Sequence, residues 1–171
     1  MKRRQLWAAL AATALIPGLA PLAFAQPETL KDHLVGSWTL VSTRTTRADG
    51  SVYGPYGPHE KGSLIFDRKG QFALILVNPD VPKFQSNNRE RPTADEAVAA
   101  MKGSFAFFGS YSVNEADRTF VFHVEASSFP NFNGTNQKRI VKSLTANQLV
   151  FVNDTPPNAG ARAELIYRRA D

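Results

Sequence analysis

The chain has no cysteine and only three histidines among its 171 residues. The first absence excludes a disulfide scaffold, so the core must hold by packing alone. The second leaves His33, His59 and His123 far apart in sequence, without the spacing of metal ligands, and neither a metal nor another cofactor is expected. Also missing are a glycine-rich phosphate loop, a catalytic-serine elbow, internal repeats and low-complexity tracts. The apolar run from Leu6 to Ile16 is too short to span a bilayer. Stable membrane insertion is therefore not expected.

What is present begins with a leader. Lys2, Arg3 and Arg4 precede that apolar run, Pro17-Gly18 follows it, and Ala23-Phe24-Ala25 matches a small-x-small cleavage site. Residues 1–25 thus read as a signal peptide and residues 26–171 as one domain, exported to the periplasm or secreted. The paired arginines faintly resemble a twin-arginine signal, though two arginines begin many ordinary leaders. The formal charge of the whole chain is +5. Three of its twenty basic residues and none of its acidic ones lie in the leader, so the remaining 146 residues carry only +2. Nucleic acid is not an expected partner.

The rest of the chain is punctuated by turns. Gly36 to Ser42 opens the first strand, with Trp38 and Leu40 on one face and Thr39, Val41 and Thr43 on the other. Asp49-Gly50 and Asp67 to Gly70 mark hairpins, and residues 78–92, with three prolines, form a long loop of the kind that covers functional openings. Thr93-x-x-Glu96 is a capping box that starts a helix running to Lys102, whose narrow stripe of Ala94, Ala97, Val98 and Met101 would lie on another surface. Phe105, Phe107, Tyr111 and Val113 alternate with small polar residues, and further strands follow at 119–126, 137–144, 148–153 and 163–169. About eight short strands with hairpin-length links predict an all-β antiparallel barrel or sandwich with one short helix.

Gly36-Ser-Trp38 resembles the opening signature of the lipocalin and calycin group, in which an arginine near the end of the last strand packs across the tryptophan. Here Tyr167 is followed by two candidates, Arg168 and Arg169. A closer resemblance is to the bacterial lipocalin-like domain family, carried by Gly36-Ser-Trp38-x-Leu40-Val-Ser42, by Tyr56-Gly57-Pro58 with Gly62-x-Leu64, by His123-Val-Glu125-Ala-Ser, and by Phe129-Pro-Asn-Phe-x-Gly134-Thr-x-Gln137-x-Arg139. It spans nearly the whole domain and implies a closed up-and-down barrel with an interior cavity. It implies no particular activity.

The candidate site lies between Phe120 and Arg139. His123 and Glu125 share one face of their strand, and Phe120, Phe122 and Val124 share the other. Either the aromatics fill the interior and the pair is solvated, or the pair points inward. On the returning strand Lys138 and Lys142 want water, which turns Gln137 and Arg139 inward. If His123 pairs near Arg139, then Glu125 falls near Gln137 and the four polar groups converge; a slip of one residue separates them. Arg139 would anchor a carboxylate, while His123 and Glu125 bond a ligand or form an acid–base pair. The bland alternative is a buried Glu–Arg pair that satisfies itself. Tyr53, Tyr111 and Phe107 are candidate lining residues. The expected function is binding of a small apolar ligand bearing a carboxylate. The alternatives are a cofactor-independent isomerase or cyclase using His123 and Glu125, and a filled barrel serving cell-envelope interactions.

Overall fold

The structure, a computed structural model, describes residues 29–156 and 160–170. The leader proposed for residues 1–25 lies outside them. After a short helix, α1 (Leu30–Leu34), come the strands β1 (Gly36–Thr46), β2 (Val52–Tyr53), β3 (Lys61–Phe66) and β4 (Gln71–Val77). A second helix, α2 (Ala94–Lys102), precedes β5 (Ser104–Asn114), β6 (Thr119–Ser127), β7 (Asn136–Leu144), β8 (Gln148–Asn153) and β9 (Arg162–Arg169). All pairings are antiparallel between neighbours, from β3 through to β9, and β1 closes the ring. One edge of β1 pairs with β9 along Trp38 to Thr46; the other pairs with β3 over Gly36 to Thr39 and with β2 over Thr45 and Thr46. The result is a closed eight-stranded up-and-down barrel, with β2 a flap on the rim of β1.

Three single-residue bulges decide which side chains enter the barrel. Each inserts an unpaired residue and so reverses the in–out alternation beyond it. They fall at Val41 against β9, at Glu125 against β5 and at Lys142 against β8. The first corrects the sequence reading of β1. Trp38 and Leu40 share a face as expected, and that face is the inside; past Val41 the parity flips, and Thr43, expected on the opposite face, is buried inside with Thr45.

One end of the barrel is filled. Phe66 packs against Tyr111, Phe120 and Phe122 at ring separations of 4.8, 5.4 and 5.9 Å, and Phe72 joins them 4.1 Å from Phe122. Helix α1 plugs this end with Leu30 and Leu34, and its first amides, of Leu30 and Lys31, donate to the Glu115 carboxylate. Trp38 donates its indole N–H to the Leu34 carbonyl at 2.8 Å. The guanidinium of Arg169 lies 4.2 Å over the Trp38 ring and donates to the carbonyls of His33, Val35 and Ala146. Of the two arginine candidates, Arg169 therefore crosses the tryptophan, while Arg168 is exposed. This also accounts for Gly36. Its φ of +132° suits glycine, and a Cβ there would sit 2.6 Å from Arg169 Nη1.

Helix α2 forms as its capping box predicts, with Thr93 and Glu96 bonding each other's backbone amides. It does not lie on the core. None of its residues is buried, and Val98 and Met101 are 46% and 62% exposed. The helix stands at the rim of the end opposite α1. Among the described residues no helix is long and apolar enough to cross a membrane.

Candidate functional site

At the end away from α1 the barrel opens into a cavity of about 540 Å³, within the usual range for sites that enclose a small organic molecule. Leu74 and Leu76 of β4 and Phe105 and Phe107 of β5 line one side. Thr43 and Thr45 of β1, Arg139 of β7 and Asn153 of β8 line the other. Tyr53, Tyr56, Met101, Phe129 and Pro156 stand around the mouth.

Arg139 is the central group. Its position inside follows from the strand alternation that sends Lys138 and Lys142 to water. Only 3% of it is exposed. Its guanidinium donates through Nη1 to the Lys138 carbonyl and to Asn153 Oδ1, at 2.7 and 3.1 Å, and lies 5.4 Å from the Phe122 ring centroid. Among the described residues no carboxylate pairs with it. Burial pulls its pKa down to about 9, partly offset by the nearby Tyr167 hydroxyl, so it remains cationic at neutral pH.

Among the described residues, four buried polar atoms of the barrel, Thr43 Oγ1, the Tyr167 hydroxyl, Glu60 Oε2 and Gln137 Oε1, lack a partner in good hydrogen-bond geometry; of their residues only Thr43 lines the cavity, and its side chain lies close enough to the Glu60 carboxylate to hold that group's pKa down against burial. Glu60 comes from the segment after β2 and fills a gap in the sheet. Between its pairings with β3 and β2, one edge of β1 has no strand neighbour, and there the Thr43 amide donates to Glu60 Oε1. Burial raises the pKa of Glu60, of Tyr56 and of Tyr167, which favours the uncharged form of each. The cavity thus offers one fixed positive charge and a set of hydroxyls, a combination that suits an anion carried on an apolar body.

The expected convergence of four polar groups does not occur. Phe120 pairs with Arg139, Phe122 with Gln137 and His123 with Asn136. This register sends Arg139 and Gln137 inward with the phenylalanines and turns His123 outward. On the outer surface His123 bridges neighbouring strands: Asn136 Oδ1 accepts from Nδ1–H at 2.7 Å, and Nε2 lies 2.8 Å from Ser112 Oγ. Glu125, the bulged residue, is exposed. Both border a shallow outer depression of about 250 Å³ with Gln71 and Ser110. The His123–Glu125 acid–base pair needed for an isomerase or cyclase is therefore neither hydrogen-bonded nor inside the barrel. The self-satisfied Glu125–Arg139 pair is absent for the same reason.

The lining candidates divide in the same way. Phe107 and Tyr53 border the cavity. Tyr111 belongs to the filled end, where its hydroxyl donates to the Asp67 carbonyl at 2.9 Å. Thr43, Thr45, Tyr56 and Asn153 were not anticipated. The available signal was the run Thr43-Arg44-Thr45-Thr46, which continues a core-bearing strand with alternating threonines. Among the described residues no cluster of acidic and histidine side chains could hold a metal ion.

An eight-stranded up-and-down barrel, plugged at one end and hollow at the other, is a lipocalin-type barrel. Residues 35–170 match the family described as the lipocalin-like domain, and the chain belongs to that family. No curated protein matches the sequence. Solved structures with a similar course include a lipocalin-like protein from Bacteroides uniformis, at 16% identity over 81% of this chain and 99% of that one, with a TM-score of 0.44. Bovine odorant binding protein in complex with a selenium-containing odorant shares 15% identity over 88% and 78%, with a TM-score of 0.42. A polyisoprenoid binding domain from Saccharophagus degradans shares 11% over 79% and 94%, with a TM-score of 0.32.

Proposed function

We propose that the protein is exported and binds a small apolar molecule with an anionic end, a carboxylate foremost, in the open half of its barrel. The observation that carries this reading is Arg139, buried in the wall of a 540 Å³ cavity with no acidic partner among the described residues. Withdrawing a guanidinium from water costs several kcal/mol, and leaving it without a counter-charge forfeits the usual compensation. A ligand carboxylate would supply that charge through paired N–H···O bonds, while Leu74, Leu76, Phe105 and Phe107 take up its carbon skeleton. Export rests on the leader of residues 1–25, with its basic start and its Ala23-x-Ala25 end.

The test is displacement of a fluorescent apolar probe by a long-chain carboxylic acid and by its methyl ester. The acid should win by about tenfold to a hundredfold, the worth of a charge-assisted hydrogen bond. Arg139→Met should erase that margin. Equal displacement by acid and ester, or an unchanged margin in the variant, would remove Arg139 from the site.

A further inference from the structure

The segment Phe72-Ala-Leu-Ile-Leu-Val77 of β4 is apolar on both faces, the pattern of a strand covered on both sides. Its inner face, Phe72, Leu74 and Leu76, is buried in the barrel. Its outer face is not, and the neighbouring strands extend it. Ile65, Ala73, Phe108 and Ala126 stand side by side in one row across β3, β4, β5 and β6. The next outward row toward the open end sets Ile75 beside Ala106, and Val77 lies beyond it. Ile65, Ile75 and Phe108 are 44%, 50% and 47% exposed. Together this wall shows water on the order of 400 Å² of apolar surface, a size at which a patch commonly serves binding.

Charge stands at two opposite corners of the patch. Lys61, paired with Val77, marks the open-end corner on β3, and Glu125, one residue before Ala126, marks the far corner on β6. Both are exposed, and neither forms an ion pair among the described residues. A two-fold axis lying in the interface, across the line from Lys61 to Glu125, exchanges these corners. It sets Lys61 of each copy against Glu125 of the other, twice, with apolar wall on apolar wall between them. An anionic lipid surface would instead meet the acidic corner unfavourably.

We infer that the protein pairs with a second copy of itself through the outer wall of β3–β6, in a two-fold dimer with Lys61 facing Glu125 across each end of the contact. With their polar rims, two such faces bury about 1,000 Å² in all, the low end for a specific interface, so the dimer forms and separates in the micromolar range. The contact uses the outside of the barrel and stands apart from the ligand-binding reading.

Sedimentation velocity on the purified protein, from about 1 to about 300 µM, tests it across the range expected for an interface of this size. The mass should shift from monomer to dimer. Phe108→Ser, at an exposed position that the fold does not bury, should raise the dissociation constant at least tenfold while thermal unfolding of the monomer stays unchanged. Lys61→Glu and Glu125→Lys should each weaken the dimer several-fold, and the double variant, which restores opposite charges at both contacts, should recover it. A protein that stays monomeric throughout, or a dimer indifferent to Phe108→Ser, overturns the inference. A double variant no tighter than either single one overturns the two-fold pairing. Monomer that binds phosphatidylcholine–phosphatidylglycerol vesicles, and loses that binding in Phe108→Ser, gives the wall to a lipid surface instead.

Discussion

In the proposed function, Arg139 sets ligand binding against stability at a single residue. Among the described residues this buried cation has two neutral acceptors, the Lys138 carbonyl and Asn153 Oδ1. Replacing buried charged groups by apolar residues of similar size is often stabilising by about 1–4 kcal/mol. Arg139→Met should therefore raise the melting temperature of the ligand-free protein, as thermal unfolding at neutral pH would show. A clear loss of stability would mean that the guanidinium serves the fold. The pH limit on the proposed binding is set by the ligand: an arginine keeps its charge across the accessible range, so affinity for a carboxylic acid should hold through neutral pH and fall as pH drops below about 4–5, where the carboxyl takes up its proton. Asn153 acts beside it by accepting from Nη1, and it also accepts from the Thr155 amide, which ties the guanidinium to the end of β8.

Among the elements, β1 carries the most. Its first half, led by Gly36 and Trp38, belongs to the plug, and its second half, past the bulge at Val41, belongs to the cavity. Gly36→Ala should destabilise the protein by about 1–3 kcal/mol in chemical denaturation, because it combines a backbone angle open to glycine with a Cβ driven into Arg169 Nη1. An unchanged midpoint would separate the glycine from the arginine strap. How much was legible in sequence divides along the same strand. The Gly36 and Trp38 signature and the arginine at the chain's end are local, strongly typed signals, and the capping box of α2 and the alternation of β5 are equally direct. The bulge at Val41 has no such signature, since one extra residue looks like any other in a strand, yet it decides whether Thr43 and Thr45 face oil or water. The β6–β7 register was hidden for a related reason. Pairing Phe120 rather than His123 with Arg139 depends on how the chain turns through Pro130 and Gly134, and a shift of odd parity moves the histidine to the other side of the wall. The lysines on β7 gave the direction of Arg139 correctly. They could not say what stood opposite it.

For the molecule as a whole, the same ring of strands supplies rigidity at one end and room at the other. The two ends should answer mutation differently. Phe120, fully buried in the aromatic cluster, should cost about 3–5 kcal/mol when cut to alanine. Phe129, half-buried at the cavity mouth, should cost far less in stability and more in ligand affinity. Denaturation and probe titration on both variants would show that division, and similar stability losses would deny it. In the function we propose, the open half holds an anionic, apolar molecule against Arg139. Native mass spectrometry addresses it most directly, on the wild-type protein and on Arg139→Met, each purified from cells that naturally express the protein. The wild type should carry a stoichiometric adduct of an organic acid, and the variant should lack it. A wild-type protein that emerges without any adduct, or an identical adduct on both, would contradict it.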